Sequence, residues 1–101
     1  MFKKIAVSLL FMLASSPLFA GEYWIDVRVP AQYEQQHIDG AFNVPLAELK
    51  EKIGEVVKNK DDVVHLYCNT GRQTQFASKI LKGMGYTNII DEGGIDNILN
   101  K

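Results

Sequence analysis

Short apolar runs rich in β-branched and aromatic residues alternate with segments of helical periodicity, and this alternation constrains the fold more than any other feature. The first run covers residues 23–27. A second, residues 63–67, is almost continuously apolar, as is typical of a strand covered on both faces. Two more short strands are predicted over residues 41–44, which Pro45 ends, and over residues 88–90. Strands that alternate with helices predict an α/β domain with a mainly parallel central sheet.

Three helices are predicted between these strands. Residues 30–36 begin with proline, which suits the first turn of a helix. Residues 46–57 place leucine, isoleucine and valine at helical spacing with charges between them, which predicts an amphipathic helix. A third helix begins at residue 74 and ends near Gly85, a residue suited to the left-handed conformation that follows many helices. Its predicted apolar face consists of Phe76, Ala77, Ile80, Leu81 and Met84.

Residues 1–20 have the composition of a secretory signal peptide. Two lysines precede an uncharged, mostly apolar stretch over residues 5–14, and residues 15–20 supply a proline and small residues. The apolar stretch is about half of the ~20 residues that span a bilayer, so a cleaved signal is favoured over a stable membrane anchor. Cleavage after Ala20 would leave residues 21–101 as one domain. The signal sequence predicts that this domain is exported to the periplasm.

The remaining 81 residues suffice for one small domain and are too few for two. Without the two lysines of the signal, nine basic residues stand against twelve acidic ones, and they form no basic cluster. A net charge of about −3 without such a cluster makes nucleic acid a poor partner. Cys68 is the only cysteine, so no internal disulfide is possible and the fold depends on its core.

Cys68 lies at the carboxyl end of the central predicted strand, at the edge where open α/β sheets bind ligands. Residues 69–73 separate this strand from the next helix, and Gly71 allows a tight loop that turns backbone N–H groups inward as an anion-binding nest. The helix N-terminus adds partial positive charge, so these surroundings favour a reactive thiolate. The alternative is that Cys68 is a small buried hydrophobe, as free cysteines commonly are.

Three blocks of the sequence resemble the rhodanese family. They are WIDVRVPAQYEQQHIDGAFNVPL, YCNTGRQTQ and GYTNIIDEGG, in the order and at the separations of a single rhodanese domain. The first block is the most specific, because it combines Asp-Val-Arg, a tyrosine five residues after Arg28, and His-Ile-x-Gly-Ala-x-Asn-x-Pro. The resemblance covers almost all of residues 21–101 and implies a three-layer, rhodanese-like α/β domain with helices flanking the sheet.

For function, the resemblance implies a thiosulfate sulfurtransferase that works through a persulfide on Cys68. The thiolate attacks the outer sulfur of thiosulfate and releases sulfite, and cyanide or a thiol then accepts the sulfur. Arg72 is the candidate for holding the sulfonate oxygens of the donor. No metal ion or other cofactor is expected. The residues expected to bind the donor are Asn69, Thr70, Gly71, Arg72 and Gln73.

Loop length separates sulfur transfer from phosphate hydrolysis. Related domains that hydrolyse phosphate esters have cysteine, five residues and then arginine, and that last position is Thr74 here. Arg72 comes two residues earlier, in keeping with the six-residue loop, residues 68–73, that the resemblance associates with sulfur transfer. Gln73 departs from the family pattern, which often has a basic residue there, so donor binding is expected to depend on fewer charges.

The other polar residues are assigned supporting roles. Asp26 and Arg28, at the end of the first strand, are expected to support the loops near the active site. His37 and His65 have no metal-ligand spacing around them and are assigned to the structure rather than to catalysis. Residues 91–94 are interpreted as a solvent-exposed turn completed by two glycines.

Two other functions remain open from the sequence. A binding or carrier module would hold sulfur or an anion at Cys68 without turnover, and a thiol-redox protein would use Cys68 to form mixed disulfides or dimers. Both are disfavoured, because a pure binder does not need a loop that stabilises a thiolate and a redox enzyme usually has a second, resolving cysteine.

Overall fold

The computed structural model describes residues 21–101. Its strands are β1 (Glu22–Asp26), β2 (Phe42–Asn43), β3 (Val63–Cys68) and β4 (Asn88–Gly94). They form one sheet in the order β2-β1-β3-β4, in which each neighbouring pair is parallel. The helices are α1 (Pro30–Gln35), α2 (Leu49–Val56), α3 (Arg72–Gly83) and α4 (Ile95–Leu99), and a 3₁₀ turn, Leu46–Glu48, leads into α2. The predicted signal peptide lies outside the described residues. No helix within residues 21–101 is long and apolar enough to cross a bilayer.

The sheet divides the core into two layers, because successive side chains of a strand point to opposite faces. On one face, Ile25 of β1 and Leu66 of β3 belong to a buried cluster with residues of α2 and α3. On the other face, Tyr67 packs with Ile95 of α4, and Tyr33 of α1 lies partly buried against them. Helices therefore cover both faces, which confirms the three-layer α/β architecture predicted from the sequence.

Several predicted boundaries differ from those of the structure, most of them by one or two residues. The helix predicted over residues 46–57 starts as a 3₁₀ turn and becomes α-helical at Leu49, since tight 3₁₀ turns are frequent at helix N-termini. The strand predicted over residues 41–44 pairs with β1 at Phe42 and Asn43 alone. The third helix begins at Arg72, two residues earlier than predicted.

The C-terminal part of the chain differs more. The turn predicted over residues 91–94 is the end of β4, and α4 follows it directly. α4 has five residues, too few to give a helical periodicity in the sequence. Phe76, predicted on the buried face of α3, is 57% exposed. The buried residues of that helix are Thr74, Ala77 and Leu81, and a stripe along these positions leaves Phe76 to one side.

Asp26, the last residue of β1, and Arg28 form a buried ion pair at the carboxyl end of that strand. Arg28 Nη2 donates to Asp26 Oδ2 at 2.7 Å and Arg28 Nε donates to Oδ1 at 3.0 Å, and the two side chains are 5% and 0% exposed. The Arg28 backbone N–H also donates to Oδ1, at 2.8 Å. A two-point contact of this kind fixes the direction of the guanidinium as well as its position.

This ion pair connects α1 to the central strand. Arg28 Nη2 donates to the Gln36 carbonyl at 2.6 Å, and the guanidinium carbon lies 5.5 Å from the centre of the Tyr67 ring. The Tyr67 hydroxyl accepts a bond from the Ile38 N–H at 3.0 Å. Burial raises the pKa of Tyr67 to about 12, so the phenol remains neutral. Tyr67 directly precedes Cys68, so the ion pair contacts the residue next to the candidate nucleophile.

We expect Arg28→Ala to lower the free energy of unfolding by about 3 kcal/mol, because it leaves the Asp26 carboxylate buried without its partner. Urea unfolding followed by circular dichroism measures this change. Lys52→Ala is the matched control, since it removes the exposed pair of Lys52 with Glu48, a solvent-screened contact that adds little stability. Equal losses in the two variants would contradict the role given to the buried pair.

Candidate active site

Cys68 is the last residue of β3 and lies at the carboxyl edge of the sheet, as predicted. It is a free cysteine and is 1% exposed. Its register partner on β4 is Gly94, and the residue before it, Tyr67, pairs with Asp26 of β1. Since the carboxyl ends of parallel strands meet at one edge, Cys68 faces the loops in which α/β sheets bind their ligands.

The loop after Cys68 is shorter than predicted, because only residues 69–71 lie between β3 and α3. Gly71 has a φ of 96°, a left-handed conformation that glycine adopts without strain. This turn directs the Gly71 N–H at Cys68 Sγ, to which it donates at 2.9 Å. The Thr74 hydroxyl donates to the Gly71 carbonyl, also at 2.9 Å, and supports the same turn from its buried side. An N–H donor aimed at the sulfur stabilises negative charge there.

The N-terminus of α3 lies beside the sulfur. Arg72 and Gln73 form its first turn, in which backbone N–H groups have no acceptors within the helix. The aligned peptide dipoles add roughly half a positive charge at this end. The first turn of α3 contains no acidic side chain that would neutralise it. Arg72 is exposed and Gln73 is half-buried, so the cation stands at the rim of the site.

Gly94 packs against the loop so closely that a side chain does not fit. A Cβ on Gly94 would lie 2.6 Å from the Asn69 carbonyl oxygen, and a Cβ on Gly71 would lie 3.5 Å from Gly93 Cα. The absence of a side chain at Gly94 therefore lets β4 approach the Cys68 loop. Sequence reasoning assigned Gly93 and Gly94 to a turn, although glycine inside a strand is itself a signal that another backbone approaches closely.

An open cleft of about 690 Å³ adjoins the loop on the side of β4 and α4. Arg72 contributes a cation to it, and Gln75 and Asn97 contribute amides that sequence reasoning did not single out. Nothing in the pattern around these two residues distinguishes them from other surface amides. The cleft is lined by Thr70, Gly71, Arg72, Gln75, Asp91, Glu92, Gly93 and Asn97. Cys68 is not among these residues and is 1% exposed, so the cleft offers room for a small polar reactant against the Cys68 loop rather than at the sulfur itself.

Asp26 and Arg28, which were predicted to support the site, are connected to Cys68 through Tyr67. Arg28 contacts the Tyr67 ring, and Asp26 holds Arg28 in place. His37 stacks on the Tyr33 ring with centroids 3.8 Å apart, at the end of α1. The other histidine is buried in β3 and bonds to two carboxylates, one of them in the segment that sequence reasoning assigned to an exposed turn.

This arrangement suits a negatively charged intermediate on one sulfur. Cys68 is available as a nucleophile, the Gly71 N–H and the start of α3 can stabilise negative charge on its sulfur, and Arg72 can offer a cation to an anionic reactant. Because the chain has no second cysteine, such an intermediate cannot collapse into an internal disulfide. An acceptor for its sulfur would therefore have to come from another molecule.

The chain is similar to known proteins. The rhodanese-like domain family matches residues 13–101. Thiosulfate sulfurtransferase PspE of Escherichia coli K12 is 52% identical over 100 residues, which are 97% of this chain and 93% of that protein. The putative sulfur carrier protein YrkF of Bacillus subtilis is 31% identical over 66% of this chain but over 35% of its own length.

A solved structure, described as a rhodanese with anions from E. coli, has a TM-score of 0.74 and 52% identity, and the match covers 76% of this chain and 91% of that one. The family match, the sequence identity and the backbone similarity thus agree with one another. The chain belongs to the rhodanese-like domain family.

Proposed function

We propose that this protein is a thiosulfate sulfurtransferase in which Cys68 carries the transferred sulfur. The Cys68 thiolate attacks the outer sulfur of thiosulfate, the S–S bond of thiosulfate breaks, and sulfite leaves with the bonding electron pair. A nucleophilic acceptor, cyanide or a thiolate, then attacks the outer sulfur of the persulfide. Thiocyanate or a new persulfide leaves, and the Cys68 thiolate is restored.

The observation that carries the proposal is the 2.9 Å contact from the Gly71 N–H to Cys68 Sγ at the start of α3. The same donor serves the attacking thiolate and, after transfer, the inner sulfur of the persulfide. Further support comes from PspE, which is 52% identical and is named a thiosulfate sulfurtransferase. On this proposal the donor binds at residues 69–73, with Arg72 closest to the oxygens of its sulfonate group.

After incubation with thiosulfate, the purified protein should gain the mass of one sulfur atom on Cys68, and cyanide should remove it. Cys68→Ser should abolish both the mass gain and thiocyanate formation, because a serine hydroxyl is a poor nucleophile toward sulfane sulfur. Intact-mass spectrometry and a thiocyanate assay give the two readouts.

Circular dichroism of Cys68→Ser is the control, since this nearly isosteric change should leave the fold intact. Sulfurtransferase activity in that variant would refute the mechanism. A sulfur gained by the wild type but never passed to cyanide or thiols would favour a carrier module, and a disulfide-linked dimer on non-reducing electrophoresis would favour a redox role.

Arg72→Ala should raise KM for thiosulfate roughly tenfold, about 1.5 kcal/mol, because it removes a charged donor at the solvent-exposed rim of the site. Its stability should match that of the parent. Lys79→Ala is the matched control, since Lys79 is an exposed cation two turns further along α3. Steady-state kinetics with varied thiosulfate measure KM, and an unchanged KM in Arg72→Ala would reduce Arg72 to a surface charge.

We also propose that export to the periplasm removes residues 1–20 and leaves Gly21 as the N-terminal residue. The Gly21 nitrogen donates to Asp62 Oδ1 at 2.8 Å, and Asp62 is 6% exposed. Cleavage would turn this peptide N–H into an α-ammonium group beside a buried carboxylate. A hydrogen bond with both partners charged is stronger than one from a neutral peptide N–H.

The chain that begins at Gly21 should therefore be more stable than one extended by Ala20, by about 1 kcal/mol at neutral pH. Asp62→Asn should remove this difference, as measured by urea unfolding of the four proteins. N-terminal sequencing of the periplasmic fraction should begin at or near Gly21. A chain that still starts at Met1 in the membrane fraction would contradict the localisation.

A further inference from the structure

His65 lies in β3 between two carboxylates on the strands beside it. His65 Nδ1 is 2.7 Å from Glu92 Oε2 on β4, and its Nε2 bonds to Glu22 Oε2 on β1. The Trp24 ring stacks on the imidazole with centroids 4.2 Å apart and planes 4° from parallel. Because Trp24 covers one face and both ring nitrogens are bonded, His65 has a fixed position and orientation.

Both contacts depend on the protons of the ring. An ionised carboxylate only accepts hydrogen bonds, and a neutral imidazole has one N–H donor and one bare nitrogen. His65 therefore bonds to both carboxylates at once when both ring nitrogens carry hydrogen. In that form the imidazolium connects β1, β3 and β4 through two charge-assisted bonds.

The two carboxylates differ in their position in the sheet, and Glu92 is the one next to the candidate active site. Glu92 lies at an irregularity of β4, because Leu66 pairs with Asp91 while the next residue, Tyr67, pairs with Gly93. One residue of β4 is therefore extra at this point, which makes it a β-bulge with Glu92 as the unpaired residue. His65 holds that residue from the neighbouring strand.

The bulge determines which residue of the glycine pair, Gly93 and Gly94, lies opposite Cys68. Without the extra residue, the strand would place Gly93 rather than Gly94 opposite Cys68. With the extra residue, Gly94 lies opposite Cys68. There its backbone is so close to the Cys68 loop that a Cβ on Gly94 would lie 2.6 Å from the Asn69 carbonyl oxygen. A bulge next to an active site commonly redirects the strand in this way.

We propose that His65 and Glu92 are positioning residues for sulfur transfer: by fixing the bulge of β4, they hold Gly94 beneath the Cys68 loop in the geometry that aims the Gly71 N–H at the sulfur. The inference rests on the proposed sulfurtransferase activity and adds the residues that set its geometry. Neither side chain touches the sulfur, so both act through Gly94 and the loop.

Glu22 provides the matched control. It bonds to the same histidine, but it lies on β1 with 61% of its side chain exposed, and it has no connection to the glycine pair. Glu22→Ala and Glu92→Ala each remove one of the two carboxylates of His65. Only Glu92→Ala releases the bulge that precedes Gly94.

The test is single-turnover formation of the Cys68 persulfide with varied thiosulfate, on the chain from Gly21 to Lys101. Glu92→Ala should lower the maximal rate constant roughly tenfold, because a small displacement of reacting groups is costly, while half-saturation by thiosulfate changes less than about twofold. Glu22→Ala should stay within about twofold of the wild type in both quantities. Glu92→Gln should recover most of the rate, since its amide oxygen can still accept from Nδ1–H.

His65→Phe separates positioning from substrate contact, because Glu92 lines the cleft and His65 does not. It keeps a ring against Trp24, removes both bonds, and should reproduce the rate loss of Glu92→Ala. The double variant that combines His65→Phe with Glu92→Ala should have a maximal rate constant no lower than that of either single variant, since both changes release the same bulge. If Glu92→Ala fails to fold, Glu92→Asp replaces it, because the shorter side chain cannot reach Nδ1 without moving the bulge.

The outcomes separate this inference from the proposed function. A wild type that forms no persulfide removes the proposed function, whatever the variants do. A wild type that forms it, with Glu92→Ala and Glu22→Ala equally active or equally impaired, overturns the positioning role. A change in half-saturation confined to the Glu92 variants also overturns it, because that result makes Glu92 a substrate contact.

Discussion

The buried ion pair of Asp26 and Arg28 fixes the carboxyl end of β3, where Cys68 lies, on the side that faces β1. It lies against Tyr67, and the Val27 N–H donates to the Tyr67 carbonyl at 3.1 Å, so the peptide before Cys68 is held from β1 by both contacts. Burying two charges is costly unless their hydrogen bonds are satisfied. Within residues 21–101, no buried side-chain nitrogen or oxygen lacks a partner. The cost is thus offset by geometry, and that geometry leaves little freedom at the residue before the nucleophile.

On the side that faces β4, the position of the carboxyl end of β3 depends on residues without side chains. Gly94 and the Asn69 carbonyl meet backbone to backbone, which any Cβ at that position would prevent. Gly71 then turns the chain at a φ of 96° and begins α3 immediately. The short loop is therefore confined from both sides, by an ion pair and a tyrosine toward β1 and by glycine toward β4. A short loop is what brings the helix N-terminus within reach of the sulfur.

Patterns that depend on neighbours in sequence are predictable in this chain, and contacts between distant segments are not. The continuous apolar run of β3 and the polar residues after it are enough to place Cys68 at the carboxyl edge of the sheet, and Gly71 marks the turn. The histidine of β3 has no local sign of its partners, because its two carboxylates are 43 and 27 residues away along the chain. The glycines of β4 resemble a turn for the same reason. In both cases the partner is supplied by parallel pairing, which local periodicity does not encode.

Thr74 connects loop length to the choice of reaction. It occupies the position of the arginine in related phosphate-hydrolysing domains, yet here it is fully buried and its hydroxyl supports the turn through the Gly71 carbonyl. An arginine at that buried position would have to displace the turn that aims an N–H at Cys68. The only cation of the first helical turn is Arg72, which stands at the rim rather than in a cradle around the sulfur. Such a site lacks the arginine that would enclose a tetrahedral phosphate ester, and it is consistent with the proposed donor, which would present one terminal sulfur to Cys68 and leave its charged oxygens at the rim.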